Sequence, residues 1–229
     1  MASRCITIGA SAGGFEVLKD IAAHLPADLA VPVFVVLHIA PYEPSLLPEI
    51  LDKVGPLHAV HPEDGQGFEP GFIYVAPPDH HLLVDNERIA VKRGPKENGF
   101  RPSIDALLRS AAYSFGSGTV GVVLSGALSD GTSGLWSIKR LGGIAIVQDP
   151  YEARFPSMPR SALEYIEADY TARSTEIAPL LTRLVQNQTE AQGIPADQNV
   201  KEDVRRIAKE IQIAAGISLP EKTVLDLGN

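Results

Sequence analysis

Three side chains in this sequence have the types needed for acyl transfer: Ser11, His38 and Asp130. A serine hydroxyl is a weak nucleophile at neutral pH. It becomes effective when a neutral imidazole takes its proton and a carboxylate fixes the imidazole's tautomer and steadies its cation. Ser11 sits at the apex of Gly9-Ala10-Ser11-Ala12-Gly13-Gly14, between a β-branched run and a stretch with helical apolar spacing. So sharp a strand–turn–helix calls for glycines, because a Cβ at either flank would collide with the crossing backbone. It lifts the serine oxygen toward a helix N-terminus, where unpaired N–H groups hold developing negative charge.

Each feature also has a plainer reading. The Gly-rich turn is equally a phosphate or dinucleotide site, or simply a tight turn with a helix-capping serine. The dinucleotide fingerprint, however, wants glycine where Ser11 stands and an acidic residue where the second strand ends in His38. His38 alone is an ordinary strand-end histidine. Asp130 alone is a cap for the helix that starts after it. Together they are more telling, because all three follow apolar runs at strand ends, where open α/β sheets bind their ligands. The order Ser…His…Asp differs from the Ser…Asp/Glu…His of α/β-hydrolases. His80 and His81 are adjacent, project differently and have no carboxylate or cysteine grouping at metal spacing, so no metal site is expected.

The elements that must position these residues follow from periodicity. Arg4 to Ile8, Pro32 to His38, Gly71 to Pro78 with its closing prolines, Thr119 to Leu124 and Ile144 to Val147 read as strands, several of them continuous apolar runs. Such runs mark strands covered on both faces. Helices are expected over Phe15–Ala22, Ser45–Val54, Pro102–Phe115 and Thr132–Leu141, and Leu82–Val91 reads as a β-hairpin. The alternation predicts an α/β fold: a doubly wound, mostly parallel, Rossmann-like three-layer sheet with the hairpin as an antiparallel edge. The catalytic domain is expected over 1–185. A polar linker from Gln186 and an amphipathic helix carrying Val204, Ile207 and Ile211 follow over 186–229, either packed back on the domain or docking a regulatory partner.

The 229 residues are enough for a well-filled core, and a net charge of -8 without a basic run argues against nucleic acid. The single cysteine, Cys5, lies in the first expected strand and reads as buried. No charged leader or long apolar span precedes that strand, so a cytoplasmic protein without membrane insertion is expected.

Six blocks in order carry a resemblance: Gly9–Gly14, His38-Ile39-Ala40-Pro41, Tyr74 to Leu82, Arg101-Pro102-Ser103-Ile104-Asp105, Leu124 to Gly131, and Gln148-Asp149-Pro150 with Met158-Pro159. Over Ile6 to Leu184 the chain resembles the catalytic domain of the chemotaxis protein-glutamate methylesterases. The resemblance implies a hydrolase that needs no cofactor and acts on methylated glutamates in the cytoplasmic domain of chemoreceptors, with glutamine deamidation in some members. Ser11 would be the nucleophile, His38 the base and Asp130 its orienting carboxylate. The N–H groups just after Ser11, at Ala12 and Gly13, would serve the oxyanion, and Ala127 is a further candidate for the substrate site. Two departures stand out: Ala12 replaces the usual threonine, and Ala127-Leu128-Ser129 replaces the usual Met-Gly-Asn. The first strand begins so near Met1 that a stand-alone domain without the family's receiver is expected. The alternative reading is a binding or scaffold module of the same fold with little catalysis.

Overall fold

The computed structural model describes residues 4–187. Strand β1 (Cys5–Ala10) is buried along its whole length, as its uninterrupted small and β-branched residues require. It is hydrogen-bonded to β2 (Val33–Leu37) on one side and β7 (Thr119–Val123) on the other, with Ile8 opposite both Val35 and Val122. Adding β3 (His58–Val60), β4 (Phe72–Val75), β8 (Ile144–Gln148) and β9 (Tyr170–Ala172) gives a seven-stranded sheet in the order β3-β4-β2-β1-β7-β8-β9. Every pairing in it is parallel.

Alternate residues of the strands point to opposite faces. Ile6, Ile8, Val33, Val35, Val120 and Val122 join one apolar cluster with Leu18 and Ile21 of α1 (Gly14–His24), Leu51 of α2 (Leu47–Val54), and Ile177 and Leu181 of α6 (Ser174–Asn187). The other face carries α3 (Ile104–Phe115) and α4 (Thr132–Arg140). Ile104 lies against Gly9, and Leu135 and Ile138 lie against Gly121. The doubly wound three-layer architecture expected from periodicity is therefore present.

The hairpin needs a correction. Strands β5 (His81–Asp85) and β6 (Arg88–Lys92) pair antiparallel, but they form a separate two-stranded sheet rather than an edge of the large one. The backbone of β5 is engaged by side chains of α3: Val84 N–H donates to Ser110 Oγ, and Ser114 Oγ donates back to Val84 C=O. A helix carrying serines one turn apart thus satisfies the strand's outer edge. The short strands β3 and β9, and the helices α5 (Ser157–Tyr165) and α6, had not been anticipated. Gln186 and Asn187 close α6 rather than opening a linker, and the rest of the expected linker and tail lies outside the described residues.

Candidate active site

The sheet brings the three candidates together at the carboxyl ends of its strands. Ser11 follows β1, His38 follows β2, and Asp130 lies beyond the end of β7, so they come from three adjacent strands where the winding reverses direction. At Gly13, which caps α1, φ is +76°, and an added Cβ would fall 2.8 Å from Ser125 Oγ and 2.9 Å from Arg154 Cβ. At Gly9 an added Cβ would run into Ile104. Glycine is thus required on both flanks of the turn, though side chains rather than crossing backbone are what a Cβ would mostly meet. Ser11 N–H donates to Ser125 C=O at 3.0 Å, and Gly14 N–H donates to Ser11 C=O at 2.9 Å. Ser125 Oγ in turn donates to Ala12 C=O at 2.8 Å. The serine's backbone is therefore fixed from two directions.

His38 Nδ1 lies 3.1 Å from Ser11 Oγ, and His38 Nε2 lies 2.9 Å from Asp130 Oδ2. An ionised carboxylate only accepts, so Nε2 carries the proton and Nδ1 keeps its lone pair for the serine hydroxyl. The ring nitrogens are used in the opposite sense to the serine-protease arrangement, but the connectivity is the same. The His38 ring also lies flat on Phe100, with centroids 3.7 Å apart and planes 9° apart.

Asp130 is fully buried and accepts six hydrogen bonds besides serving no solvent. Oδ2 takes His38 Nε2 and the N–H of Ile104 at 2.8 Å. Oδ1 takes Asn98 Nδ2 at 2.9 Å, Ser103 Oγ at 3.0 Å, and the N–H groups of Asp105 at 3.0 Å and Gly131 at 3.1 Å. Burial alone would raise the Asp130 carboxyl, but these donors outweigh it and hold it at about 2. Capping is part of its work, but on another helix than expected. Asp130 satisfies the first N–H groups of α3, while Asp105, in the first turn of α3, accepts Gly131 N–H at 3.0 Å and Gly134 N–H at 2.6 Å at the start of α4. The two helices cap one another through their carboxylates. Asn98 Nδ2 bridges them, 2.7 Å from Asp105 Oδ2. Burial and the charge of Asp130 push Asp105 up to about 6, so Asp105 takes up a proton first as the pH falls.

Of the expected oxyanion and substrate positions, Ala12 and Gly13 lie in the turn after β1 and Ala127 in the loop between β7 and α4. Among the described residues, no acceptor takes the N–H of Ala12, Gly13 or Ala127. Ala12 and Ala127 are exposed, and Gly126 lies directly against Ser11. His80 Nδ1 faces Pro78 C=O at 2.8 Å, and His81 is held between Pro95 C=O and Ser103 N–H, so both have structural partners. Among the described residues no three His, Cys, Asp or Glu side chains cluster as metal ligands.

Sequence reasoning missed Asn98, Phe100, Ser103 and Asp105 as parts of this site. The Asn98-Gly99 dipeptide was the available signal, since it marks a two-residue hairpin turn. Nothing local says that its amide joins Asp105, seven residues on, to the distant Asp130.

Comparison with known proteins identifies the family. The model of the family described as CheB methylesterase matches residues 6–181. A Leptospira interrogans protein, provisionally named protein-glutamate methylesterase/protein-glutamine glutaminase, is 39% identical over 186 residues, covering 81% of this chain and 96% of its own. A Thermotoga maritima protein of the same name without that provision is 34% identical over 189 residues, and there the match spans 81% of this chain but 55% of the relative. A Geobacter metallireducens relative is 38% identical, with 53% of its length matched. The crystal structure of the Thermotoga maritima CheB methylesterase catalytic domain superposes with a TM-score of 0.76 at 34% identity, covering 80% of this chain and 100% of that one. With a family model spanning most of the chain and a solved catalytic domain matched end to end, this chain belongs to the CheB methylesterase family.

Proposed function

We propose that this chain is a serine hydrolase that removes methyl esters from glutamate side chains of bacterial chemoreceptors, with Ser11, His38 and Asp130 as its catalytic residues. The observation that carries the reading is the continuous hydrogen-bonded line from Ser11 Oγ through His38 to a buried, ionised Asp130, in a chain of this family. Ser11 Oγ attacks the ester carbonyl while His38 Nδ1 takes its proton, and Asp130 steadies the imidazolium. The N–H groups at Ala12 and Gly13 stabilise the tetrahedral oxyanion, and Ala127 is a further candidate at the substrate site. Its collapse breaks the bond to the methoxy oxygen, which leaves as methanol with the proton from His38. Water, deprotonated by the same imidazole, then cleaves the glutamyl–Ser11 ester and restores the serine.

Glutamine deamidation follows the same steps with ammonia as the leaving group, and the paired names of the relatives support it as a second activity. The substrate is then a receptor's cytoplasmic domain, and the enzyme works in the cytoplasm. No described helix is long and apolar enough to cross a membrane.

The test is release of volatile methanol from a receptor cytoplasmic fragment carrying radiolabelled methyl esters. Release by wild type at a rate well above that of Ser11→Ala is the expected result. A chain that reacts with serine-hydrolase probes yet releases no methanol from any receptor fragment would reject the substrate.

A further inference from the structure

A two-residue turn delivers Phe100 to the imidazole. Glu97 and Phe100 exchange backbone hydrogen bonds of 3.1 Å and 2.9 Å across Asn98 and Gly99, whose φ values are +53° and +83°. This is the geometry Asn-Gly favours in a tight hairpin. Both flanks are anchored. Glu97 accepts two bonds from Arg109 Nη2 at 2.9 Å and 2.8 Å. Arg101 grips Asp79 through Nε and Nη2 and donates to Gly94 C=O. The hairpin that carries Phe100 is thus tied at both flanks.

The stacking itself is informative. Centroids 3.7 Å apart and planes 9° from parallel put the imidazole over the face of the phenyl ring. That face carries the negative side of the ring quadrupole. A cation placed over it is attracted. The arrangement is suited to the imidazolium, which exists only after Ser11 has given up its proton. An interaction stronger in the transition state than in the ground state accelerates the chemistry without tightening substrate binding.

We propose that Phe100 is a positioning residue for His38, holding the plane of the ring and favouring its protonated form during catalysis. The inference rests on the serine-hydrolase reading above and adds to it a residue that acts through His38.

A fluorophosphonate probe tests it without reference to the natural substrate. Ser11 Oγ bonds to phosphorus, fluoride leaves, and the serine proton passes to His38. Phe100→Leu keeps apolar bulk but has no ring, and should lower the limiting labelling rate roughly tenfold while leaving the half-saturating probe concentration unchanged. Phe100→Tyr should restore the rate to within about twofold, because the ring face is kept. Pentafluorophenylalanine at position 100 keeps the shape and reverses the quadrupole, so it should be as slow as leucine even if leucine perturbs folding. Wild-type rates with leucine or with the fluorinated ring would overturn the inference and leave the hydrolase reading intact. Failure of wild type to label at all would overturn both.

Discussion

The two ends of the Ser11–His38–Asp130 line are built by different means. Ser11 is placed by its own backbone: a glycine-flanked turn, one bond to Ser125 and one closing bond from Gly14. Its hydroxyl contacts only His38 among the described hydrogen bonds. Asp130 is placed by convergence, receiving donors from the 97–100 hairpin, the segment before α3, the start of α3 itself and its own neighbour Gly131. Removing the nucleophile should therefore leave the fold intact, whereas removing the carboxylate strands several buried donors. Catalysis and stability are separable at one end of the line and joined at the other.

Asp130→Ala should give the largest effect. It strands the first N–H groups of α3, Ser103 and Asn98 together, and a cost of about 3–5 kcal/mol is expected from loss of a buried, paired carboxylate. Ser11→Ala should lie within about 0.5 kcal/mol of wild type, since it deletes one half-exposed hydroxyl. Urea denaturation of the two variants side by side checks the contrast, and equal losses would break it.

Asp130→Asn sharpens it. The amide keeps one acceptor oxygen, so the stability loss should shrink to about 1–2 kcal/mol. Turnover should still fall on the order of 10³–10⁴-fold, because the imidazole loses the partner that fixes its tautomer. Near-normal turnover would make Asp130 a helix cap and nothing more.

Asp105 gives a pH-dependent signature. Its folded carboxyl is pushed up to about 6 from the ordinary 3.8. Between these values the native state binds a proton that the unfolded chain has released, so this group's contribution to stability falls as pH rises from about 4 to about 6. Asp105→Asn lacks that fall. The variant's deficit relative to wild type should therefore narrow across this window by on the order of 1–3 kcal/mol, read from urea midpoints at either end. A constant deficit would mean that Asp105 stays charged beside Asp130.

The smallest effect is at Leu128, a non-glycine residue at φ +66° that is 64% exposed beside Ala127. Left-handed backbone costs a leucine about 1–2 kcal/mol, part of which Leu128→Gly returns after its own entropy loss. A melting temperature raised by a few degrees is expected, and a fall would assign Leu128 a packing role.

Which parts of the molecule were legible in the sequence follows the same division. The turn around Ser11 was readable because its requirements are local: β-branched strand, glycines, helix. The central strands were readable because burial on both faces leaves continuous apolar runs. His38 and Asp130 were found from their places at strand ends, although Asp130 caps α3 rather than the helix it precedes. Strands β3 and β9, three residues each, are too short to show any period. The hairpin's separate sheet depends on Ser110 and Ser114 reaching Val84 across the fold. Asn98 and Phe100 act on residues far away in the chain, and no local pattern records such a contact.

The central claim is that Ser11 becomes covalently acylated during turnover. Rapid quenching of wild type with a methyl-esterified receptor peptide, followed by proteolysis and mass spectrometry, addresses it directly. An adduct equal to the peptide mass less methanol is expected on the fragment containing Ser11. It should accumulate in step with methanol release, and folded Ser11→Ala should show neither adduct nor methanol. Undiminished methanol release by Ser11→Ala would contradict it.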